Sequence, residues 1–409
     1  MKRVVITGMA LTSPLGSTVK TAFERLKTYK NCIHYWDLLD KYENLNTRLV
    51  ANVKDFKESE NFNRKIKRTM GPVSIMAVTT AIQALEDAGL LNDEIITNGE
   101  TGVSYGSSTG SLDAILDFYS MCVEKRVKNL NSGSYIKMMS QTTAVNLSLY
   151  FKTHGRLITS STACTSGSMG IGYAYEAIQN GYQTVMIAGG AEEIHQTQIG
   201  IFDTLYATTI KNDTPHLTPS PFDKDRDGLV VGEGAGTLIL EEYEHAKQRG
   251  AKIYAEIAGF ATNTDGTHIT NPNKDMMKEV MIQAIDKAKI SKNDIGYVNA
   301  HGTATIQGDI AETNATRECF GKNDVPISSI KSYIGHTLGA CGAIEAILSI
   351  EMMRNNWFCP TLNLNNIDEK CGELDYIMNE GRTINTEYVM TNNFAFGGIN
   401  TSLILKRYN

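Results

Sequence analysis

Three side chains in this 409-residue chain stand where nucleophilic chemistry could be done. Cys164 lies in Ser161-Thr-Ala-Cys-Thr-Ser-Gly-Ser-Met-Gly170, between an apparent short strand, Arg156–Ser160, and a run from Gly167 to Ile178 that is small or apolar all round. Such a run reads as a buried helix. A cysteine at that strand-to-helix turn would meet unpaired backbone N–H groups and the positive end of a helix dipole, which favour a thiolate. Cysteine is also among the most buried residue types, and the local pattern alone does not separate a nucleophile from a small core residue. His301 ends the strand-like Ile295–Ala300, and His336 sits in the Gly-rich turn Lys331-Ser-Tyr-Ile-Gly-His-Thr-Leu-Gly-Ala340. Imidazole packs without doing chemistry in most proteins. Two histidines in matching strand-end contexts beside a helix-capping cysteine shift the balance, because sites in α/β sheets form at strand ends. Glu345 falls within Ala340–Met353, a helix apolar on nearly every face, so it needs a buried partner, and Lys331 is the candidate.

The elements that must position these groups alternate between strands and helices. Val4–Gly8 reads as a strand, and its interruption by Thr7, Gly8 and Ser13-Pro14 argues against a signal peptide. Thr18–Leu26 and Met70–Gly89 read as helices, with Gly89 as a stop, whereas residues 35–65 read as a polar excursion from the core. Thr101–Gly110 and Thr184–Ala191 read as strands running into small-residue turns. The first lacks the lysine of a phosphate-binding loop, so a nucleotide site is rejected. Asp223, Asp225 and Asp227 mimic the start of a calcium loop, but the closing glutamate falls at the wrong offset, which leaves a salt-bridged structural loop. Met276–Lys289 is an amphipathic helix. Thr237-Leu-Ile-Leu-Glu-Glu-Tyr243 is echoed by Ser402-Leu-Ile-Leu-Lys-Arg-Tyr408, each after a Gly-rich bend, which suggests a duplicated α/β unit.

Composition narrows the function classes. Apolar content of 42% with 21% charged residues is that of a globular protein, and a net charge of −6 gives no general attraction to nucleic acid or anionic membranes. No apolar run is long enough for a membrane span. The seven scattered cysteines lack CxxC spacing, which points to reduced thiols, a cytoplasmic location, and neither a disulfide framework nor a metal site. The cluster Asn63-Arg-Lys-Ile-Lys-Arg68 reads by itself as a solvated helix face.

With Thr162-Ala-Cys-Thr-Ser-Gly167, Asn299-Ala-His-Gly-Thr303, Lys331 with Gly335-His336, and Asn393-Phe-Ala-Phe-Gly-Gly398 in hand, the chain resembles the β-ketoacyl-acyl-carrier-protein synthases along its whole length. The elongating type II enzyme of fatty-acid synthesis is the nearest pattern. The resemblance implies the thiolase fold: an α/β protein of two duplicated halves, residues 1–250 with the cysteine and 251–409 with the histidines, in a five-layered α-β-α-β-α sandwich. It implies decarboxylative condensation of an acyl group held on Cys164 with a malonyl thioester. His301 and His336 would bind the enolate, Lys331 and Glu345 would form a buried ion pair that orients His336 and the pocket, and the N–H groups of Cys164 and Phe396 would form an oxyanion hole. Thr303 and Thr305 would hold the pantetheine arm, and Phe396, Gly397 and Gly398 would gate the pocket. Thr109 would stand at the acyl-pocket neck. Lys65, Lys67 and Arg68 would dock an acidic acyl carrier protein. No resident cofactor or metal is implied, since the carrier brings its own phosphopantetheine. The partner subunit would be a second copy or a cysteine-less chain-length factor.

Departures from the family pattern leave the acyl substrate open. Ala395 replaces a glycine expected at positive φ in the gate, Thr109 replaces an apolar residue, and Ala304-Thr-Ile-Gln307 replaces Ser-Thr-Pro-Ala. Such changes would suit a polyketide or aryl-polyene ketosynthase. A degradative thiolase would need a second catalytic cysteine near the C-terminal Gly-rich loop, and neither Cys359 nor Cys371 is placed for it. An initiating synthase would carry Asn in place of His336, and a chain-length factor would lack Cys164.

Overall fold

The echo at residues 237–243 and 402–408 marks the centre of a duplication written into the strand order. A computed structural model describes residues 1–127, 130–322 and 324–408. In the first half, β1 (Val4–Thr12) is followed by α1 (Val19–Leu26), α2 (Pro72–Asp87), β2 (Thr101–Gly106), α3 (Thr142–Phe151), β3 (Leu157–Ser160), α4 (Ser166–Gln179), β4 (Val185–Glu192), α5 (Gln196–Thr204) and β5 (Gly234–Glu242). The second half runs β6 (Ala255–Thr264), α6 (Lys274–Ala288), β7 (Ile295–Asn299), α7 (Ile306–Phe320), β8 (Pro326–Ser328), α8 (Cys341–Arg354), β9 (Tyr388–Ala395) and β10 (Ile399–Arg407).

The first half pairs its strands in the order β1-β5-β4-β2-β3 and the second in the order β6-β10-β9-β7-β8. In each the first two pairings are antiparallel and the last two parallel. The halves join where β1 meets β6 through Val5↔Glu256 and Ile6↔Ala255, so the strands form one 11-stranded sheet, closed by a short edge strand at Asp375–Tyr376. Helices α2 and α6 cover the outer faces of their halves, while α4 and α8 pack against each other and against both sets of strands. This is the thiolase arrangement of α-β-α-β-α layers.

The middle layer explains its own composition. Glycine and serine occupy so much of α4 because the helix lies against neighbouring backbone and side chains at close range. A Cβ on Gly172 would sit 2.1 Å from the ring of Phe260, which is fully buried on β6. α8 has no polar face at all, and every residue from Cys341 to Ile350 is buried.

Two expectations need correction. Residues 35–65 are not merely an excursion: His34–Tyr35 and Leu49–Ala51 form a small three-stranded sheet with Val231–Gly232, and Leu39 and Val50 pack with Ile199 and Leu338. The polar sequence hid these few apolar anchors. Ala395 ends β9, and the left-handed φ values of the gate fall on Gly397 (+85°) and Gly398 (+70°), so alanine there costs no backbone strain. The aspartate loop behaves as a salt-bridged structure: Arg226 pairs with Asp309 at 3.3 Å and with Asp368 at 2.8 Å.

Replacing Gly172 by alanine forces Phe260 or the α4 backbone to move in a fully packed layer. The expected cost is about 1–3 kcal/mol, read as a lowered urea midpoint with an unchanged slope. A midpoint within error of the wild type would show that the layer has slack.

Candidate active site

The C-terminal ends of matching strands deliver the site. Beyond β3, Ala163 adopts φ +49° and turns the chain so that Cys164 lies in a single 3-10 turn, Ala163–Thr165, directly ahead of α4. Ser166 Oγ accepts the Thr162 N–H at 2.9 Å and fixes the turn. Beyond β7, the His301 loop is clamped by Glu312 of α7, whose two carboxylate oxygens accept the N–H groups of His301 and Gly302, each at 2.7 Å. Beyond β8, the His336 backbone is threaded between Val230 and Gly232: its N–H donates to Val230 at 2.7 Å and its carbonyl accepts from Gly232 at 2.9 Å.

These loops bring Cys164, His301 and His336 together. His336 Nε2 lies 3.0 Å from Cys164 Sγ, and the two imidazoles stand edge to face with centroids 5.1 Å apart. The N–H of Leu338 donates to His336 Nδ1 at 3.1 Å, so in the neutral ring the proton must be on Nε2. His301 Nδ1 is 3.2 Å from Lys331 Nζ and 3.4 Å from Asn393 Nδ2, both donors, which places its proton on Nε2 as well. Burial drives both imidazoles well below their usual range, with the Lys331 ammonium pushing the same way and His336 adding to the effect on His301. Both rings are therefore neutral Nε2–H donors. The Cys164–His301–His336 group is compact enough for a metal, its ligand atoms lying within 4.8 Å. Ligation through Nε2 would require protons on Nδ1, where donors already point, so the group does not fit one.

Lys331 forms a buried ion pair with Glu345, whose second oxygen accepts from Asn393 Nδ2 at 2.8 Å. The thiol differs from the expectation of a helix-lowered group. Burial pushes Cys164 up to about 11, against the opposing pull of Lys331 and of the backbone N–H groups of Phe396 and Cys164. The two amides expected to form an oxyanion hole are thus among the groups that favour its thiolate.

A cavity of about 320 Å³ reaches these groups from the surface and is also lined by Phe202, Thr303, Thr305 and Phe396. The Thr303 and Thr305 hydroxyls are 2.9 Å apart, and Phe396 packs on Phe202 of α5 with centroids at 5.3 Å. Gly397 and Gly398 carry the turn after Phe396: the Gly397 N–H donates to Ile269, and the Gly398 carbonyl accepts from Asp265. Thr109 does not line this cavity, and its hydroxyl lies 3.3 Å from both Glu192 and Gln198. Lys65 and Arg68 are exposed beside Arg64 in a basic depression, whereas Lys67 is half-buried and paired with Glu58 at 2.7 Å.

Residues 1–246 match the family model for the N-terminal domain of β-ketoacyl synthases, and residues 254–365 match the model for the C-terminal domain. The chain belongs to the β-ketoacyl synthase family. It is 39% identical to the 3-oxoacyl-[acyl-carrier-protein] synthase 2 of Vibrio cholerae, over 99% of each chain. Among solved structures it resembles a β-ketoacyl synthase from Burkholderia phymatum, with 54% identity, full coverage of both chains and a TM-score of 0.98. It also resembles the ishigamide ketosynthase/chain length factor, with 27% identity, full coverage of both and a TM-score of 0.90.

Sequence reasoning missed the supporting carboxylates and amide of this β-ketoacyl synthase. Glu312, Asn393 and Glu192 are fully or almost fully buried. Glu192 accepts the N–H groups of Ser108 at 2.8 Å and Gly339 at 3.0 Å, tying the turn after β2 to the start of α8. The one signal available was a charged residue inside an otherwise apolar stretch, as at Glu192 after Val185–Ala191.

Because burial holds the Cys164 thiol near 11, its alkylation by iodoacetamide should rise about tenfold per pH unit from about pH 7 to 10. Mass analysis of the Cys164 peptide separates it from the exposed Cys122. A rate that levels off near pH 8.5 would show an ordinary thiol.

Proposed function

We propose that this protein is a β-ketoacyl-acyl-carrier-protein synthase of fatty-acid type, which condenses an acyl group on Cys164 with malonyl-acyl-carrier protein. One observation carries the reading: a thiol 3.0 Å from His336 Nε2, with a second neutral imidazole beside it, at the inner end of an open cavity. In the first half-reaction the Cys164 sulfur attacks the acyl thioester. The carbonyl oxygen takes charge facing the N–H groups of Cys164 and Phe396, each such donor contributing about 2.7–4 kcal/mol. Collapse breaks the C–S bond to the carrier arm, and the departing sulfur gains the proton that Cys164 loses.

In the second half-reaction the malonyl carboxylate leaves as CO2, and its bonding electrons pass into the thioester as an enolate. His301 and His336 donate through Nε2–H to that oxygen and give up no proton. The enolate carbon attacks the acyl-Cys164 carbonyl, forming a C–C bond and breaking the C–S bond. The product is a 3-oxoacyl thioester two carbons longer, and Cys164 regains a proton from solvent. Lys331 and Glu345 act through His301, whose Nδ1 faces the ammonium, and not through His336 as expected, since His336 Nδ1 is held by the Leu338 N–H; the hydroxyls of Thr303 and Thr305 suit the amide groups of a pantetheine arm. No resident cofactor enters the reaction, because the arm arrives on the carrier. Lys65 and Arg68, with Arg64, are the docking cations of this reading, and Lys67 is weakened by its pairing with Glu58.

Full-length identity of 39% to a fatty-acid-type synthase, against 27% to a ketosynthase/chain-length-factor structure, favours the fatty-acid reading over a polyketide or aryl-polyene one. A dimer is supported by β3, the free edge of the sheet, where Leu157 and Thr159 are exposed. Seven free thiols suit a reducing cytoplasm. Among the described residues, no helix is long and apolar enough to cross a membrane.

Cys164→Ala is expected to abolish condensation while malonyl decarboxylation continues, because the enolate donors remain. Intact mass and CO2 release measure the two, and chain elongation by this variant would overturn the assignment. Charge reversal of Lys65 and Arg68 together should raise KM for carrier-borne substrate about tenfold at low salt. The difference should shrink as salt screens the patch. An unchanged KM would remove these residues from docking.

A further inference from the structure

The helix that carries Phe202, the ring against which Phe396 rests, begins on an uncommon cap. α5 is nine residues long, too short to hold itself together, so its place depends on its ends. Near the C-terminal end Asp203 accepts the N–H groups of Asn46 at 2.9 Å and Thr47 at 3.0 Å. At the N-terminal end the cap is His195, 7% exposed, whose Nδ1 accepts the Thr197 N–H at 3.3 Å and lies 2.8 Å from the Thr197 hydroxyl. Gln198 completes a capping box, its Oε1 accepting the His195 N–H at 3.1 Å. Gln198 Nε2 donates to the Thr109 hydroxyl at 3.3 Å, and that hydroxyl donates to Glu192, which accepts the N–H of Gly339, three residues beyond His336. The first turn of α5 is thereby tied to the histidine turn, and its far end to the gate.

A histidine caps a helix in this way only while it is neutral. Nδ1 offers a lone pair when the ring proton is on Nε2, which is buried without a hydrogen bond and stands 3.3 Å from Asp113 Oδ1. A second proton must go to Nδ1. The Thr197 hydroxyl can turn to accept it, but the Thr197 N–H loses its partner, and a cation then stands at the positive end of the helix. Carboxylates border the cap on each side. Asp113 stands at the ring, and Glu193 fixes the turn that presents it by accepting the Ser111 hydroxyl at 2.6 Å and the Leu112 N–H at 2.8 Å. Glu192 acts through Thr109, and Glu233 accepts the Ile194 N–H at 3.0 Å. Asp113 can pair with an imidazolium, but a carboxylate there does not replace the acceptor that Thr197 has lost. We infer that His195 is a pH-sensitive positioning residue: neutral, it locks α5 against the gate, and protonated, it frees the first turn of α5 and disturbs the Phe396 N–H, so that acyl loading of Cys164 slows beyond what the thiol's own titration causes. The loading readout, though not the cap itself, rests on the condensing-enzyme reading above.

The experiment follows Cys164 loading by intact mass from a diffusible acyl N-acetylcysteamine thioester, over about pH 5.5–8, in the wild type, His195→Asn and His195→Ala. Asparagine is a strong cap at every pH in this range, so dividing by the His195→Asn rate removes the titration of Cys164. The ratio of wild type to His195→Asn should fall about fivefold from the alkaline to the acid end, whereas His195→Ala should lie about fivefold below His195→Asn throughout. Amide exchange of residues 196–199, corrected for its intrinsic pH dependence, should quicken at the acid end in the wild type and not in His195→Asn. A wild-type ratio that does not change with pH, or exchange that responds equally in both proteins, would overturn the inference. If His195→Ala does not fold, the comparison of wild type with His195→Asn still decides. Failure of the wild type to load anywhere in the range would instead overturn the condensing-enzyme reading, and amide exchange would then decide the cap on its own.

Discussion

The buried ion pair of Lys331 and Glu345 is the constraint on which the site depends. Taking an ammonium and a carboxylate out of water is costly unless both are paired and further hydrogen-bonded. Here the carboxylate also accepts from Asn393, and the ammonium also faces His301 Nδ1. That arrangement ties the turn after β8, the middle of α8, the end of β9 and the loop after β7 to one point. It also sets the chemistry. An ammonium against Nδ1 excludes a proton there, opposes an imidazolium, and leaves His301 a single role, that of an Nε2–H donor. Removing either charge would strand the other in a fully buried layer, so structure and reactivity cannot be separated at this pair.

Duplication explains why the constraint falls where it does. Two copies of one strand order meet at β1 and β6, with their central helices α4 and α8 packed together. The parallel strands of each copy end at the same region, so the first half offers a helix-capping cysteine and the second offers two imidazoles. Loops from opposite halves then brace one another. Arg226, from the first half, neutralises Asp309 of α7, and the other oxygen of Asp309 accepts the Ala304 N–H at 3.2 Å, so the loop resembling a calcium site steadies the segment that follows His301. Glu192 does the converse, reaching from β4 to Gly339 at the start of α8.

What was legible in the sequence follows from how far each signal reaches along the chain. Periodicity is local, so α4, α6 and α8 and most core strands could be read directly, and the echo of residues 237–243 in 402–408 lies on β5 and β10, which hold equivalent places in the two halves. Cys164, His301 and His336 were legible as strand-end residues, and the Lys331–Glu345 pair as a buried charge needing a partner. Glu312, Asn393 and Arg226 were not read as supports, because the groups they hold are fixed only by tertiary contact. Thr109 and Ala395 were placed by likeness to the family pattern rather than by local physics. The structure puts the first outside the cavity and gives the second ordinary strand-end backbone. The thiol illustrates the same limit: helix position is a local property that lowers its pKa, whereas burial is a global one that raises it, and burial dominates.

The result is a site with almost no charge at its reacting atoms until substrate arrives. The thiol is protonated, both imidazoles are neutral, and the charges of Lys331 and Glu345 offset one another. Every step of the proposed reaction creates negative charge at a place where an N–H already points: at sulfur and carbonyl oxygen beside the amides of Cys164 and Phe396, and at the enolate oxygen beside two imidazole Nε2–H groups. Donors fixed before charge appears spend no free energy on reorganising, and low polarity strengthens each of them. A site built with a thiolate and an imidazolium would begin the reaction with its own charges satisfied and would have less to offer the transition state. The burial that makes Cys164 a poor thiolate in the free protein therefore serves the same end as the Lys331 ammonium that keeps His301 neutral: both reserve the available stabilisation for the moment when the acyl and malonyl groups take on charge.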